Sequence, residues 1–123
     1  MITKFRAWDA INKKMISWRK LLNGHNLRNV FMRPEMCGLK LMQFTGLKDK
    51  NGVEIFEGDI VKRAGSSKPK DELLEIGFAN GSFYSTFIPD WCRTSLFDYV
   101  DFGKQVEVIG NIYENPELLE EIK

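Results

Sequence analysis

The sequence predicts a mainly β protein (α+β minor): a small antiparallel sheet or an SH3-like barrel with a short C-terminal helix, in one domain spanning residues 1–123. Two Asn-Gly pairs, Asn51-Gly52 and Asn80-Gly81, each lie between runs that alternate apolar and polar residues, which is the pattern of a tight β-hairpin. Short apolar runs separated by glycine turns recur along the rest of the chain. We therefore expect five to seven short strands with little helix.

The N-terminal residues predict an opening hairpin. Basic or small residues alternate with large aromatics in Lys4–Trp8, turn residues follow in Asp9–Lys13, and a second apolar run occupies Lys14–Trp18. We interpret Trp8 and Trp18 as core or rim residues, and a stacking platform for nucleic-acid bases is the alternative.

Residues 19–38 carry weaker patterns and predict a loop with one helical turn at Asn26–Phe31. The sole histidine, His25, lies between Gly24 and Asn26, without a second ligand type at metal-binding spacing. We interpret it as an exposed loop residue. The run Leu39–Phe44 then predicts an apolar strand.

The densest succession of turn signals lies in residues 41–62. It predicts a turn at Gly46, a type I′ turn at Asn51-Gly52 and a further turn at Glu57-Gly58-Asp59. Glycine supplies the left-handed geometry in the last of these, and the Asp59 side chain can accept hydrogen bonds from backbone amides. Together with Glu54, the two turn carboxylates would also suit an acid/base pair or a divalent site, but we favour the structural role.

The second half of the chain predicts a flexible loop and a second hairpin. The loop covers Ala64–Asp71, and the hairpin covers Leu73–Ile88 with its turn at Asn80-Gly81. Residues 89–103 are rich in aromatics and predict either a short helix or an irregular crossover.

A long strand and a helix complete the predicted elements. The strand covers Gln105–Tyr113, with a bulge near Gly110 where the alternation shifts. Asn115 is a suitable N-cap for a short helix over Pro116–Glu121, because proline is favoured at the first helical position.

Three segments resemble the YopX family of small proteins encoded by phages and prophages of Gram-positive bacteria. The resemblance is carried by Gln43–Gly52 (QFTGLKDKNG) with Ile55–Val61 (IFEGDIV), by Lys4–Asp9 (KFRAWD) and by Val106–Leu119 (VEVIGNIYENPELL). The segments follow the family's order. The resemblance implies a phage or prophage origin, and it implies no established activity and no catalytic residues.

Composition places the chain among soluble globular proteins of the cytoplasm. It is 43% apolar, and no apolar run approaches the roughly 20 residues of a membrane-spanning helix. Cys37 and Cys92 match no metal-site spacing, so we expect free thiols, no metal and no cofactor. Neither a nucleophile with a base nor a phosphate-binding glycine loop is recognisable, so we expect no enzyme.

The charges are distributed unevenly although the net charge is only +1. Residues 1–70 carry 15 Lys/Arg against 6 Asp/Glu, and residues 71–123 carry 3 against 11. The two sets mix if strands from both parts interleave in the fold. The alternative is a polarised molecule, which would present a basic face to nucleic acid or to the acidic face of a second copy.

We expect function by binding to a second copy, as a homo-oligomer, or to a host or phage protein. The candidate interface is the aromatic set Trp91, Phe97, Tyr99 and Phe102. The alternative is a nucleic-acid-binding barrel. Its candidate surface is basic and aromatic: Lys4, Arg6, Trp8, Lys14, Trp18, Lys48, Lys50, Lys62 and Arg63.

Overall fold

The structure is a computed structural model that describes residues 4–24, 27–33, 38–63, 72–79, 82–87, 92–95 and 102–120. The described residues form nine strands and four short helices. The strands are β1 Phe5–Asp9, β2 Lys14–Ile16, β3 Leu39–Lys48, β4 Glu54–Phe56, β5 Asp59–Arg63, β6 Glu72–Ala79, β7 Ser82–Phe87, β8 Cys92–Ser95 and β9 Val106–Asn111. The helices are α1 Trp18–Gly24, α2 Leu27–Met32, a 3-10 helix Phe102–Gln105 and α3 Glu117–Glu120.

The chain divides into two compact units, Met1–Phe44 (unit 1) and Thr45–Lys123 (unit 2). Each unit has its own cluster of buried apolar side chains. The cluster of unit 1 consists of Ala7, Ile16, Leu21, Val30 and Leu39. That of unit 2 consists of Ile55, Val61, Leu74, Ile76, Phe83, Phe102 and Val106. The described residues therefore bury two apolar clusters, one in each unit. The single domain over residues 1–123 stays a prediction.

Unit 1 is built on the predicted opening hairpin, which the structure confirms. Strands β1 and β2 are antiparallel, with Ala7 opposite Ile16, and β1 pairs on its other side with β3, with Ala7 opposite Leu41. The turn between β1 and β2 is stabilised by Asp9, whose Oδ1 accepts hydrogen bonds from the backbone N–H groups of Ile11 and Asn12, both at 3.0 Å. A turn carboxylate used in this way has a structural role.

Helix α1 occupies a segment that the sequence predicts as loop. Ser17 is the N-cap: its carbonyl accepts from Leu21 N–H at 2.9 Å and its hydroxyl accepts from Lys20 N–H at 3.3 Å. The fully buried Leu21 then anchors the helix in the core of unit 1. A two-turn helix is stabilised by such packing rather than by propensity, which explains why the sequence pattern was weak. Helix α2 confirms the predicted helical turn.

The Asn51-Gly52 hairpin of unit 2 is present, but its turn is not type I′. Gly52 has φ +83, whereas Lys13 is the one described non-glycine residue with positive φ, so Asn51 is not left-handed. Gly52 N–H donates to the Asp49 carbonyl at 3.0 Å, and Asp49 N–H donates to the Val53 carbonyl at 2.8 Å. This is a three-residue hairpin loop with a left-handed glycine in its last position.

The second turn of the same stretch has the predicted structural role. Gly58 has φ +89, and the Asp59 carboxylate accepts a hydrogen bond from Phe56 N–H at 2.8 Å. Gly46, in contrast, does not end a strand. It lies within β3 with φ +88, beside Thr45, whose hydroxyl donates to the Ile55 carbonyl at 2.7 Å. The glycine therefore changes the local geometry of a continuous strand that pairs with β4.

The larger sheet of unit 2 has the strand order β8-β7-β6-β5-β9, with antiparallel pairing. The β6–β7 hairpin is confirmed, since Ala79 pairs with Ser82 across a two-residue link. The residues of that link, Asn80 and Gly81, lie outside the described part of the chain, as does the predicted loop at residues 64–71. Among the described strands, β8 and β9 form the two edges of this sheet and do not pair with each other. Of the two predicted alternatives, this is an open antiparallel sheet rather than a closed barrel.

The C-terminal part differs from the prediction at strand β8 and at the Asn115 side chain, whereas the predicted bulge in β9 is present. Strand β8, Cys92–Ser95, lies where a helix or crossover was expected, and it pairs with β7. The bulge in β9 is confirmed: Ile60 pairs with Gly110 and Val61 with Val108. The Asn115 carbonyl accepts from Leu118 N–H at 3.1 Å, but its side-chain oxygen accepts from Asn111 N–H at 3.2 Å rather than from the helix.

A buried carboxylate connects the β3–β4 hairpin of unit 2 to β9. Asp49 Oδ1 accepts from Asn51 N–H at 2.8 Å and from Val53 N–H at 2.9 Å, while Oδ2 accepts from Val108 N–H at 2.9 Å. Burial alone would raise the pKa of this carboxyl, but the three backbone donors outweigh it and leave the pKa of Asp49 below its ordinary value of 3.8. The ionised form therefore stabilises the fold.

We expect Asp49→Asn to destabilise the protein by about 1–3 kcal/mol at pH 7, because an amide offers one acceptor oxygen instead of two. The folded pKa is lowered, so the stabilisation is complete above about pH 4 and is lost as the pH falls through the folded value. Urea unfolding of the variant and of the parent at pH 7 and about pH 3 tests this, with the exposed Glu117→Gln as control. If the difference in the free energy of unfolding between variant and parent is as large at about pH 3 as at pH 7, the prediction is wrong.

We expect Gly103→Ala to destabilise the protein by about 1–3 kcal/mol, because a Cβ at this position would overlap the backbone carbonyl oxygen of Lys48. Gly103 is buried, and a main-chain atom cannot move aside as a side chain can. Gly24→Ala is the matched control, since a Cβ there meets nothing within 4 Å. Equal melting temperatures for the two variants would show that the 3-10 helix shifts without cost.

Candidate protein-binding surface

The boundary between the two units also divides the charge of the chain. Unit 1 has nine Lys/Arg against two Asp/Glu, a net charge of +7, and unit 2 has nine against 15, a net charge of −6. Together they give the net +1 of the whole chain. The separation is somewhat smaller than at residue 70, where the two parts of the sequence carry net charges of +9 and −8. Each unit is a body with one predominant sign of charge.

The cations of unit 1 are displayed on its surface. Two are half-buried, Lys4 and Arg6, and the others are exposed: Lys13, Lys14, Arg19, Lys20, Arg28, Arg33 and Lys40. Asp9 is the one carboxylate in the described part of unit 1, and it is buried in the β1–β2 turn. Its hydrogen bonds, above all that from Asn12 N–H, lower the pKa of Asp9. The described part of unit 1 thus offers almost no internal compensation for its positive charge.

Three aromatic rings of unit 1 form a cluster at the beginning of β1. Phe5 lies 4.9 Å from Phe31 between ring centroids, Trp18 lies 6.1 Å from Phe5, and Trp18 lies 6.4 Å from Phe31. The rings are tilted or edge-on to one another, as aromatic side chains prefer when they pack. Phe31 remains 39% exposed, so the cluster reaches the surface of the unit.

An apolar surface edged by arginines extends from this cluster along the two helices of unit 1. Leu22 is 47% exposed and lies four residues after Trp18 on α1, which places both on one face of the helix. Arg19 lies three residues before Leu22, and Arg28 lies three residues before Phe31, so each arginine neighbours an exposed apolar side chain. We call Trp18, Arg19, Leu22, Arg28 and Phe31 the α1–α2 surface.

A shallow depression lies beside α1. It has a volume of ≈ 560 Å³ and is lined by Ser17, Arg19, Lys20, Asn23 and Gly24. Arg19 therefore borders both the depression and the apolar side chains. Helix α1 is amphipathic, with Leu21 turned into the core of its unit.

The residues predicted for a nucleic-acid surface do not belong to one unit. Lys4, Arg6, Trp8, Lys14 and Trp18 lie in unit 1, and Lys48, Lys50, Lys62 and Arg63 lie in unit 2. Lys4 Nζ lies 4.6 Å from the centroid of the Phe44 ring, and Lys50 Nζ lies 3.8 Å from a carboxylate oxygen of Glu107. These two cations are therefore partly engaged within their own units.

The residues predicted for an aromatic interface are only in part described. Trp91, Phe97 and Tyr99 lie outside the described residues, and Phe102 is 2% exposed in the core of unit 2. The burial of Phe102 corrects its place in the proposed interface, because a ring in the core cannot contact a partner. The sequence shows an aromatic cluster there but does not show which rings point inward.

The structure adds no catalytic or metal-binding arrangement among the residues it describes. Within those residues, no group of three His, Cys, Asp or Glu side chains comes together as a metal site would require. No described helix is long and apolar enough to cross a membrane. Asp59, from the acidic trio considered in the sequence, is buried and used by the turn, and His25 and Cys37 lie outside the described residues.

Sequence reasoning missed Phe5 and Phe31 as surface-forming aromatics, and it missed Arg19 and Arg28. Each helix contains one sequence pattern that could have indicated these residues. The spacings Arg19-x-x-Leu22 and Arg28-x-x-Phe31 place a cation and an apolar residue side by side on a helix surface. That signal is visible only once both segments are taken as helical, and α1 was predicted as loop.

Residues 4–120 match a family model described as YopX protein. A curated relative, the SPbeta prophage-derived uncharacterized protein YopX of Bacillus subtilis (strain 168), is 35% identical over 75 residues. The match covers 58% of this chain and 54% of the relative, so it spans about half the length of that relative.

Two crystal structures resemble the chain over nearly its whole length. Protein EF1440 from Enterococcus faecalis is 34% identical, with a TM-score of 0.64 over 97% of this chain and 99% of that one. Protein yopX from Bacillus subtilis is 24% identical, with a TM-score of 0.62 over 96% of this chain and 98% of that one. At that identity the second likeness concerns the fold alone.

Proposed function

Since the chain belongs to the YopX family, we propose that it is a prophage accessory protein of the host cytoplasm that acts by binding protein rather than by catalysis. Its ligand in this proposal is a second copy of the chain or an acidic host or phage protein. In the self-associated form, the basic unit 1 of one copy contacts the acidic unit 2 of another. The family assignment alone carries no activity.

The observation that carries this proposal is the division of charge between the units. A net charge of +7 on one compact unit and −6 on the other makes two copies complementary when they associate head to tail. The exposed cations of unit 1 and the inward position of Asp9 support it. Complementary fields raise the rate of encounter and favour one orientation of approach.

We expect the protein to self-associate at low ionic strength and to dissociate as salt screens the contact. Between about 20 mM and about 500 mM salt the screening length falls from roughly 20 Å to about 4 Å, which removes most attraction between exposed charges. Sedimentation velocity at both salt concentrations measures the change. A monomer at both would contradict self-association, and an oligomer that is indifferent to salt would contradict a charge-driven contact.

A second candidate is binding of single-stranded nucleic acid, favoured by the aromatic cluster of unit 1 among exposed cations. Such surfaces combine cations that follow the phosphates with rings on which bases stack. The rings here pack against one another at 4.9–6.4 Å, and two of them are half-buried, which leaves little ring face for a base. We therefore place it second.

We expect nucleic-acid binding no tighter than the non-specific range of about 10⁻⁴ to 10⁻⁶ M at physiological salt. Fluorescence anisotropy with labelled single- and double-stranded oligonucleotides tests this on the whole chain. Lys14→Ala, Trp8→Ala and Trp18→Ala are the variants, with circular dichroism to verify folding of the two tryptophan variants. Nanomolar binding that Lys14→Ala or Trp8→Ala abolishes would replace the protein-binding proposal with the nucleic-acid one.

A further inference from the structure

The α1–α2 surface combines two properties that a docking site needs, exposed apolar side chains and neighbouring arginines. Its apolar part is continuous, since Trp18 contacts Phe31 at 6.4 Å between ring centroids and Leu22 follows one helical turn after Trp18. Its exposed apolar side chains, Leu22 at 47% and Phe31 at 39%, stand beside Arg19 and Arg28. Interfaces are enriched in aromatic residues and arginine at their centres.

Two other exposed cations of unit 1, Lys13 and Lys40, have a different setting. Lys13 lies in the β1–β2 turn, and Lys40 lies on β3 opposite Trp8, so both are near the end of β1 at Asp9. The aromatic cluster lies at the other end of β1, beside Phe5. Five residues of strand separate the two ends by about 13 Å, which exceeds the screening length of about 8 Å at physiological salt.

Arginine is better suited than lysine to a contact that excludes water. Its planar guanidinium forms paired hydrogen bonds to a carboxylate and is less strongly hydrated than an ammonium group, so it is favoured in interface ion pairs. The two arginines on the helices and the lysines at the distal end of the sheet are therefore not equivalent, although they contribute equally to the net charge.

We propose that the α1–α2 surface is the contact that unit 1 makes with a second copy of this chain, with Leu22, Phe31 and Trp18 buried and Arg19 and Arg28 facing carboxylates of the copy's unit 2. This inference rests on the proposed self-association and adds the location of the contact. Charge complementarity selects the second copy as occupant, because unit 2 has a net charge of −6. A contact with an apolar centre also retains part of its affinity when salt screens the charges.

Two double variants with the same change in net charge test the location. Arg19→Glu with Arg28→Glu alters the α1–α2 surface, and Lys13→Glu with Lys40→Glu alters the distal end of the sheet by the same four units of charge. All four side chains are exposed. We expect the arginine variant to weaken self-association at least tenfold at about 150 mM salt, and the lysine variant to weaken it less than about threefold. Sedimentation equilibrium of the whole chain measures both.

A pair of apolar variants tests the centre of the contact without changing the charge. Leu22→Ser removes an exposed apolar side chain of the α1–α2 surface, and Ile11→Ser removes one that is 73% exposed in the β1–β2 turn. We expect Leu22→Ser to weaken association severalfold and Ile11→Ser to leave it unchanged, with equal melting temperatures showing that both variants are folded.

The outcomes separate the inference from the proposal on which it rests. Equal weakening by the two charge variants would mean that net charge alone drives association, which overturns the α1–α2 contact and leaves charge-driven self-association standing. A parent protein that is monomeric at 20 mM salt would contradict both the α1–α2 contact and the self-association on which it rests. Selective loss with the arginine variant together with Leu22→Ser supports the contact, and an arginine variant that associates as the parent does overturns it.

Discussion

Unit 2 depends on a buried carboxylate whose hydrogen-bond donors are all backbone N–H groups. Asp49 joins the tip of the β3–β4 hairpin to Val108 on β9, a residue 59 positions later in the chain. Around it, Lys50 N–H donates to the Val106 carbonyl at 3.1 Å, and Gly103 fits closely against the Lys48 carbonyl. Because β9 pairs with β5, this one side chain helps to position the hairpin against the edge of the five-stranded sheet. A carboxylate stabilised by backbone donors requires ionisation but no basic partner.

The same stretch explains why a recognisable family segment reveals no activity. Its buried polar side chains satisfy backbone groups: the Thr45 hydroxyl donates to the Ile55 carbonyl, the Asp49 carboxylate accepts from three amides, and the Asp59 carboxylate accepts from Phe56 N–H. Buried polar side chains of this kind are costly to replace, since removal leaves the backbone partner unsatisfied. A sequence pattern made of such residues identifies a fold.

Patterns with local causes were predictable from the sequence, and those with tertiary causes were not. The hairpins at Asn51-Gly52 and Asn80-Gly81 and the bulge near Gly110 follow from the conformational needs of a few neighbouring residues. The predicted type I′ turn at Asn51-Gly52 was wrong because the loop is held by Asp49, which the Asn-Gly pattern does not include. The Asp49 carboxylate accepts hydrogen bonds from the backbone N–H groups of Asn51 and Val53. Helix α1 and strand β8 depend on burial and on pairing with β7, which no short window contains. The candidate site was missed for the same reason, since it combines residues of two helices.

The charge of unit 1 has a cost for folding that a binding partner would remove. With nine cations against only two carboxylates in 44 residues, the like charges of unit 1 repel one another, and within the described residues the one carboxylate, Asp9, is buried in the β1–β2 turn. Self-repulsion of this kind destabilises a compact unit, so the cations do not serve its stability. An acidic surface placed against Arg19 and Arg28 would relieve part of the repulsion while it covers Leu22 and Phe31, and the two gains coincide in space on the α1–α2 surface. Association and the folding of unit 1 are therefore coupled: whatever neutralises these arginines raises the stability of the unit as well as the affinity of the contact.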